Sequence, residues 1–220
     1  ASPSAVAAAP TTPSTLSPHW AAVLAAFDGL LATLRAAHVP PFLVRHLFRQ
    51  LWSFVDVQLF NQLLLRRECC SFANGEYVRA GLAEVEAWAE AAGDAWVGNA
   101  AAELAHIRQA VTFLVLHAKP RKALADLAGD LCPALSVQQL YRLATMYWDD
   151  RYHTETVAPG VLAEMKAAMV AAASGAAAPA LASAAAAAGG GSHSFLLDDD
   201  SSIPFTAADV AASMDDAGLY

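Results

Sequence analysis

Basic residues are scarce in this sequence. Thirteen lysines and arginines stand against twenty-one aspartates and glutamates, a formal net charge of −8. That balance argues against non-specific binding to nucleic acid or anionic lipid, which requires a basic face. No lysine or arginine precedes Arg35, so neither a secretory n-region nor an Arg-rich transit peptide is expected. The sequence opens on Ala1 rather than Met and reads as a piece of a longer protein. Cysteine is rare as well: Cys69, Cys70 and Cys132 are too few for a disulfide framework. Reduced thiols in a cytosolic protein are the plain reading.

Strongly apolar runs are also missing. Hydrophobic residues make up 56% of the chain, but much of that share is alanine. The longest uncharged stretch, Ala167 to Leu197, is built mainly of Ala, Gly and Ser and is too weakly apolar to cross a bilayer. No alternating run of strand residues is present. The phosphate loop G-x-x-x-x-G-K-[ST], the G-x-G-x-x-G turn, C-x-x-C, H-E-x-x-H and G-x-S-x-G are all absent from the sequence. No catalytic site, cofactor or metal is therefore expected.

What remains is helical. Residues 1–15 form an Ala/Pro/Ser/Thr lead-in, 16–171 a helical body, 172–192 an Ala/Gly/Ser linker, and 193–220 a strap with a short helix. Ser17-Pro18 caps a helix that stops before Pro40-Pro41. A long helix follows from Pro41 to about Cys70. Val44, Phe48, Leu51, Val55 and Leu59 form one apolar stripe, with Leu43, Leu47 and Phe54 beside it. Arg45, Arg49 and Asp56 fall on the opposite side. Past Val57 the pattern rotates toward Gln58, Asn61 and Gln62, which predicts a kink or a buried amide network. Asn74 is expected to cap a helix to about Ala92, and Asp94 another reaching Lys119-Pro120. In that one Leu104, Ile107, Val111, Leu114 and Ala118 repeat at helical steps. A short helix over Arg121–Leu131 comes next, then a capping box at Ser136-Val-Gln-Gln139 with Leu140, Leu143, Ala144 and Tyr147 inward. Pro159 opens the last body helix, and Thr206-Ala-Ala-Asp209 caps the tail helix. The expected fold is an all-α multi-helix bundle whose extended C-terminal tail packs back on it. The apolar clusters Phe195-Leu196-Leu197 and Ile203-Pro204-Phe205 motivate that docking.

Several residues stand out as candidates. His46, His106, His117 and His153 are too scattered for a zinc site. Cys69-Cys70 reads as a buried apolar pair rather than a redox or metal pair. Arg108, near an apolar face, is either an anion site or a cation paired within the domain. Arg66-Arg67-Glu68 is either a contact patch or a solvated helix end. Tyr141, Tyr147, Trp148, Asp149, Asp150 and Arg151 gather residue types common at binding hot spots, or else form a core edge with an acidic turn. Arg66, Arg67, Tyr141, Trp148, Asp149, Asp150 and Arg151 are the candidate partner-binding set. Asp198-Asp199-Asp200 reads as a solvated charge run.

Four blocks of this sequence carry a resemblance. They are LFRQLWSFVDVQLFNQLLLRRECCSFANGEY (Leu47 to Tyr77), HIRQAVTFLVLHAKP (His106 to Pro120), LCPALSVQQLYRLATMYWDDRY (Leu131 to Tyr152) and SFLLDDDSSIPFT (Ser194 to Thr206). Together, and in this order, they resemble the C-terminal part of the dilute-domain globular tail of class XI, and more distantly class V, myosins. The Ala/Gly/Ser stretch from Ala167 to Gly191 departs from that pattern. The resemblance implies a cytoplasmic cargo-binding module that grips vesicle or organelle adaptors or membrane-bound small GTPases. It also implies docking on the myosin head, and a motor and dimerising coiled coil that would lie upstream. A non-motor scaffold bearing the same domain is the alternative it leaves open.

Overall fold

A computed structural model describes residues 17–150, 154–174, 195–198 and 205–216. Among them every regular element is helical. Helix α1 (Pro18–Ala36) starts at Ser17, whose hydroxyl accepts the His19 N–H. Helix α2 (Pro41–Leu65) follows, with proline at its first position. Then come α3 (Phe72–Ala92), α4 (Asp94–Val97), α5 (Ala100–Glu103), α6 (Ala105–Val115), α7 (Val137–Met146), α8 (Pro159–Ala173) and α9 (Ala207–Asp216).

Helix α2 is the central element, packed by α4, α5, α6 and α7. Val44, Phe48, Trp52, Val57, Phe60, Leu63 and Leu64 are its buried apolar side chains. Phe48 and Trp52 join Phe27 of α1 and Trp88 of α3 in one aromatic cluster. The Phe27 and Trp52 rings meet edge-on at 5.0 Å, and Trp52 and Trp88 lie 6.1 Å apart at 69°. Burying a side chain of this size contributes about 2–3 kcal/mol. The indole still needs a partner for its N–H, and Trp52 Nε1 donates to Val97 O at 2.9 Å. Short helix α4 presents that carbonyl between Gly93 (φ 94°) and Gly98 (φ 69°), turns that a side chain would strain.

Several expectations are corrected here. Asp56, expected on the solvent side, is 3% exposed. It meets α6, whose N-terminus demands an acceptor. Leu47 and Phe54, expected in the apolar arc, are 40% and 54% exposed. Helix α2 ends at Leu65, not Cys70; it runs unbroken past Val57, where of the expected amides Asn61 is part-buried and bonded to the Leu197 backbone. The cap of α3 is Ser71, whose hydroxyl accepts the Asn74 N–H at 3.3 Å. Asn74 lies inside the helix and reaches back to Glu68 O. The single helix expected from Asp94 to Lys119 is three, because Gly98 interrupts it, Asn99 re-caps it, and Leu104 leaves helical geometry. The short helix expected over 121–131 is present from residue 124, wound as a π-helix over Asp126–Leu131, and a 3₁₀ turn at Lys119–Arg121 precedes it. The capping box at Ser136–Gln139 is present, with both reciprocal bonds. Leu140, Leu143, Ala144 and Tyr147 are buried as expected.

The described part of the C-terminal tail packs on the body. Asn61 accepts the Leu197 N–H and donates to Leu197 O, both at 2.9 Å. Gln139 Nε2 donates to Phe195 O at 3.1 Å. Farther along, Phe205 lies against Phe42 and His46, with centroids 6.0 and 5.3 Å away. Thr206 and Asp209 cap α9 reciprocally.

Candidate functional site

The two candidate clusters of the sequence meet at one corner of the bundle. Past Leu65 the backbone of Arg66 turns extended, and Arg67–Cys69 form a single 3₁₀ turn. Cys70 N donates to Arg67 O at 2.9 Å. From the end of α7, Trp148 N donates to Cys70 O at 3.1 Å. Arg142 Nε donates to Leu64 O at 3.2 Å. Asp150 Oδ2 accepts the Ala73 N–H at 2.7 Å, placing a carboxylate at the positive N-terminal end of α3. Segments more than seventy residues apart are thereby laced into one surface.

Leu65, Arg66, Arg67, Trp148 and Asp149 are exposed on it. Most other arginines engage a neighbour: Arg45 pairs with Asp94, Arg49 with Glu103, Arg79 with Glu76, and Arg108 with Glu86. Arg66 and Arg67 have no carboxylate at ion-pair distance among the described residues. Tyr141 is half-buried against the core, and Asp150 is half-buried and committed to Ala73. Arg151 and His153 lie outside the described residues, as do Asp199, Asp200 and the Ile203-Pro204 pair.

Beneath this surface sits a residue that the sequence reading passed over as a helix stop. Lys119 is fully buried. Its Nζ donates to Leu116 O at 2.7 Å and lies 4.0 Å from the Tyr147 ring centroid. Tyr147 in turn shares a hydrogen bond with Thr154. Burial pushes the Lys119 ammonium down to about 8, against the Asp150 charge, which raises it. A lysine so placed pins the 116–121 turn against the Tyr147 ring. Its neighbour Pro120 gives no local sign of this, because the ring it meets comes from nearly thirty residues on.

The remaining candidates have ordinary structural partners. His106 bonds Asp56, His117 stacks on Phe72 at 4.7 Å, and His46 lies between Phe42 and Phe205. Among the described residues, no three His, Cys, Asp or Glu side chains converge as a metal site. Cys70 donates to Leu63 O, and Cys132 to Gln109 O. Burial pushes both thiols up to about 12, so neither is a ready nucleophile or metal ligand. Arg108 is exposed rather than buried, and it engages both Glu86 and Ala101 O. The cleft of about 390 Å³ that Arg108 and Glu86 share with Leu82 and Thr112 thus has its opposite charges already matched. No helix among the described residues is long and apolar enough to cross a membrane.

Comparison with known proteins adds an independent line. The sequence family described as the DIL domain matches residues 46–151. Myosin-11 of Arabidopsis thaliana is 52% identical over 197 residues, 90% of this chain and 12% of that protein. Myosin-5 of the same organism is 56% identical over 149 residues, 68% of this chain and 10% of that protein. The chain thus spans about an eighth of the curated relatives it matches. Myo2-GTD in complex with Mmr1 superposes with a TM-score of 0.69 at 18% identity, covering 87% of this chain and 44% of that one. The yeast myosin 5 cargo binding domain gives 0.68 at 18% identity, with the same two coverages. At that identity the likeness is one of fold.

Proposed function

The chain belongs to the DIL domain family, and from that membership we propose that it is the cargo-gripping end of an actin-based myosin. In this reading it carries no chemistry of its own, and an ATPase motor and a dimerising coiled coil lie upstream. It attaches vesicles or organelles in the cytoplasm through adaptor proteins or membrane-bound small GTPases, with the myosin head as a further docking partner. Solved relatives of the same fold are complexes with Mmr1 and with Smy1, which supports an adaptor-binding role.

The observation that carries a binding surface is the corner itself. Two arginines with no ion-pair partner among the described residues lie beside exposed Leu65 (52%) and Trp148 (37%) in a chain whose net charge is −8. Trp and Arg are among the residue types enriched at protein–protein hot spots, with neighbours such as Leu65 helping to exclude water around them. At physiological salt, charges farther than about 8 Å are screened, so a carboxylate-bearing partner meets the local arginines rather than the net charge. Arg66, Arg67, Trp148 and Asp149 are the contacts in this reading, with Tyr141 and Asp150 behind them; Arg151, also in the candidate set, lies outside the described residues.

The test is to express the tagged chain in plant cells beside the Arg66→Glu/Arg67→Glu/Trp148→Ala variant. The expected result is co-distribution with one organelle marker and co-purification of its adaptor or small GTPase, both lost in the variant. A diffuse wild-type signal with no such partner would overturn the reading. A phosphate loop and actin-binding head in the upstream coding sequence would exclude the scaffold alternative.

A further inference from the structure

We propose that the seam between α2 and α7 is a binding site for peptide segments with consecutive apolar residues, supplied in trans, and that the chain's own Phe195–Leu197 is its resident competitor. This does not depend on the Arg66–Trp148 corner and stands if that corner touches nothing.

Backbone recognition is the first support. The Asn61 amide closes a two-bond ring with the N–H and C=O of Leu197, both at 2.9 Å. Such a clamp reads main chain and so accepts any residue that keeps its N–H. Two residues earlier, Gln139 holds Phe195 O at 3.1 Å. The body therefore holds the main chain of the strap at two positions two residues apart, and such main-chain bonds carry affinity with little demand on side-chain identity.

The second support is that two of the three gripping side chains, Gln139 and Arg142, are held by the body. Gln139 Oε1 accepts the Ser136 N–H at 2.8 Å, which fixes the amide as part of the α7 capping box. Arg142 is tied to Leu64 O and stacks its guanidinium 5.1 Å from the Phe195 ring centroid. Neither anchor needs the strap to hold its place. A pre-organised site loses little freedom when it binds.

The third support is the tether. Ser174 closes α8, and Phe195 comes 21 residues later through a stretch whose composition is that of a linker. A short tether of this kind holds its segment at an effective concentration on the order of millimolar. Phe195, Leu196 and Leu197 remain only partly buried against the core. The strap therefore sets a threshold: a segment from another protein enters when it binds more tightly than the tethered one or when the strap is drawn away.

The experiment uses the full chain with a protease site inserted between residues 180 and 185. A labelled peptide of sequence Ser194–Asp200 is titrated before and after cutting. The expected result is binding at least tenfold tighter after cutting, and loss of peptide binding in the cut Asn61→Ala variant. Equal binding before and after cutting, or Asn61→Ala binding as well as wild type, would each overturn the proposal. Far-UV circular dichroism of Asn61→Ala confirms that the comparison is made between folded chains.

Discussion

His106 Nδ1 and Asp56 Oδ2 are 2.7 Å apart, and the other oxygen of the same carboxylate accepts the Ile107 N–H at 2.8 Å. A residue on α2 therefore supplies the N-terminal acceptor that α6 lacks, since Leu104 at its start has no side-chain cap. The carboxylate also faces the positive end of that helix. Removing it leaves a buried donor unpaired and a helix end uncapped. Asp56→Ala is expected to cost about 3 kcal/mol, read as a fall in the urea midpoint. His106→Ala keeps the Ile107 bond and is expected to cost about half as much. Equal effects from the two variants would contradict the assignment of the cap to Asp56.

Gly81 is a notch for Trp20. A methyl group on Gly81 would lie 1.9 Å from Trp20 Cε2, so the indole of α1 rests directly on the α3 backbone. Ser17 and Tyr77 add a hydrogen bond at 2.8 Å beside it. Gly81→Ala should lift α1 and destabilise the chain by roughly 1–3 kcal/mol. On a Trp20→Ala background the same change should become neutral or gain up to about 1 kcal/mol, because alanine is the better helix former. A thermal-melt cycle over the four proteins checks the sign reversal.

His38 adopts φ 56° one residue past the cap of α1. Val39 N donates to Leu34 O and His38 N to Arg35 O, the paired bonds of a Schellman ending. Glycine takes this conformation without the steric cost a Cβ brings. His38→Gly is expected to raise stability by about 1 kcal/mol, seen as a higher melting temperature. A lower one would mean that the exposed imidazole does more than terminate the helix.

Lys119 makes stability depend on alkaline pH in a defined direction. Its folded value of about 8 lies below the 10.5 of an unperturbed lysine. Between those values the unfolded chain binds a proton that the folded chain does not, so this group's contribution to stability rises with pH across the window. Cys70 and Cys132 act oppositely, since their folded values near 12 exceed the ordinary 9.0 and folding retains protons that the unfolded chain releases. The sum of the three peaks between about pH 8 and 9. Lys119→Met should remove the rising limb. The stability gap between variant and wild type then shifts by roughly 1–3 kcal/mol from pH 7 to pH 10, and urea titrations at both pH values measure it.

Helix starts were legible in the sequence because their determinants are local. Ser17-Pro18, the Ser136–Gln139 box and the Thr206–Asp209 pair each act within four residues. Asp56 was misread for the opposite reason: its partners lie fifty residues on, and a lone carboxylate on a helix otherwise suggests solvent. The notch at Gly81 and the ring above Lys119 are likewise tertiary facts. The split at Gly98 was visible as a residue but not as a break, since glycine inside a helical pattern is tolerated at a cost of about 1 kcal/mol. The candidate residues at the corner were found by type. Their adjacency, which rests on Trp148 N reaching Cys70 O, was not.

The edge-on stack at the centre of the bundle gives the molecule a built-in optical gauge. With Trp52 and Trp88 only 6.1 Å apart, light absorbed by one indole passes readily to the other. Trp52 emits from a dry interior, while Trp148 meets solvent. Loosening of the interior would separate the coupled pair without first changing the outer indole, whereas a partner covering Trp148 would shift the emission of that indole to shorter wavelength. Colour and brightness could therefore tell a melted protein from an occupied one without any added dye.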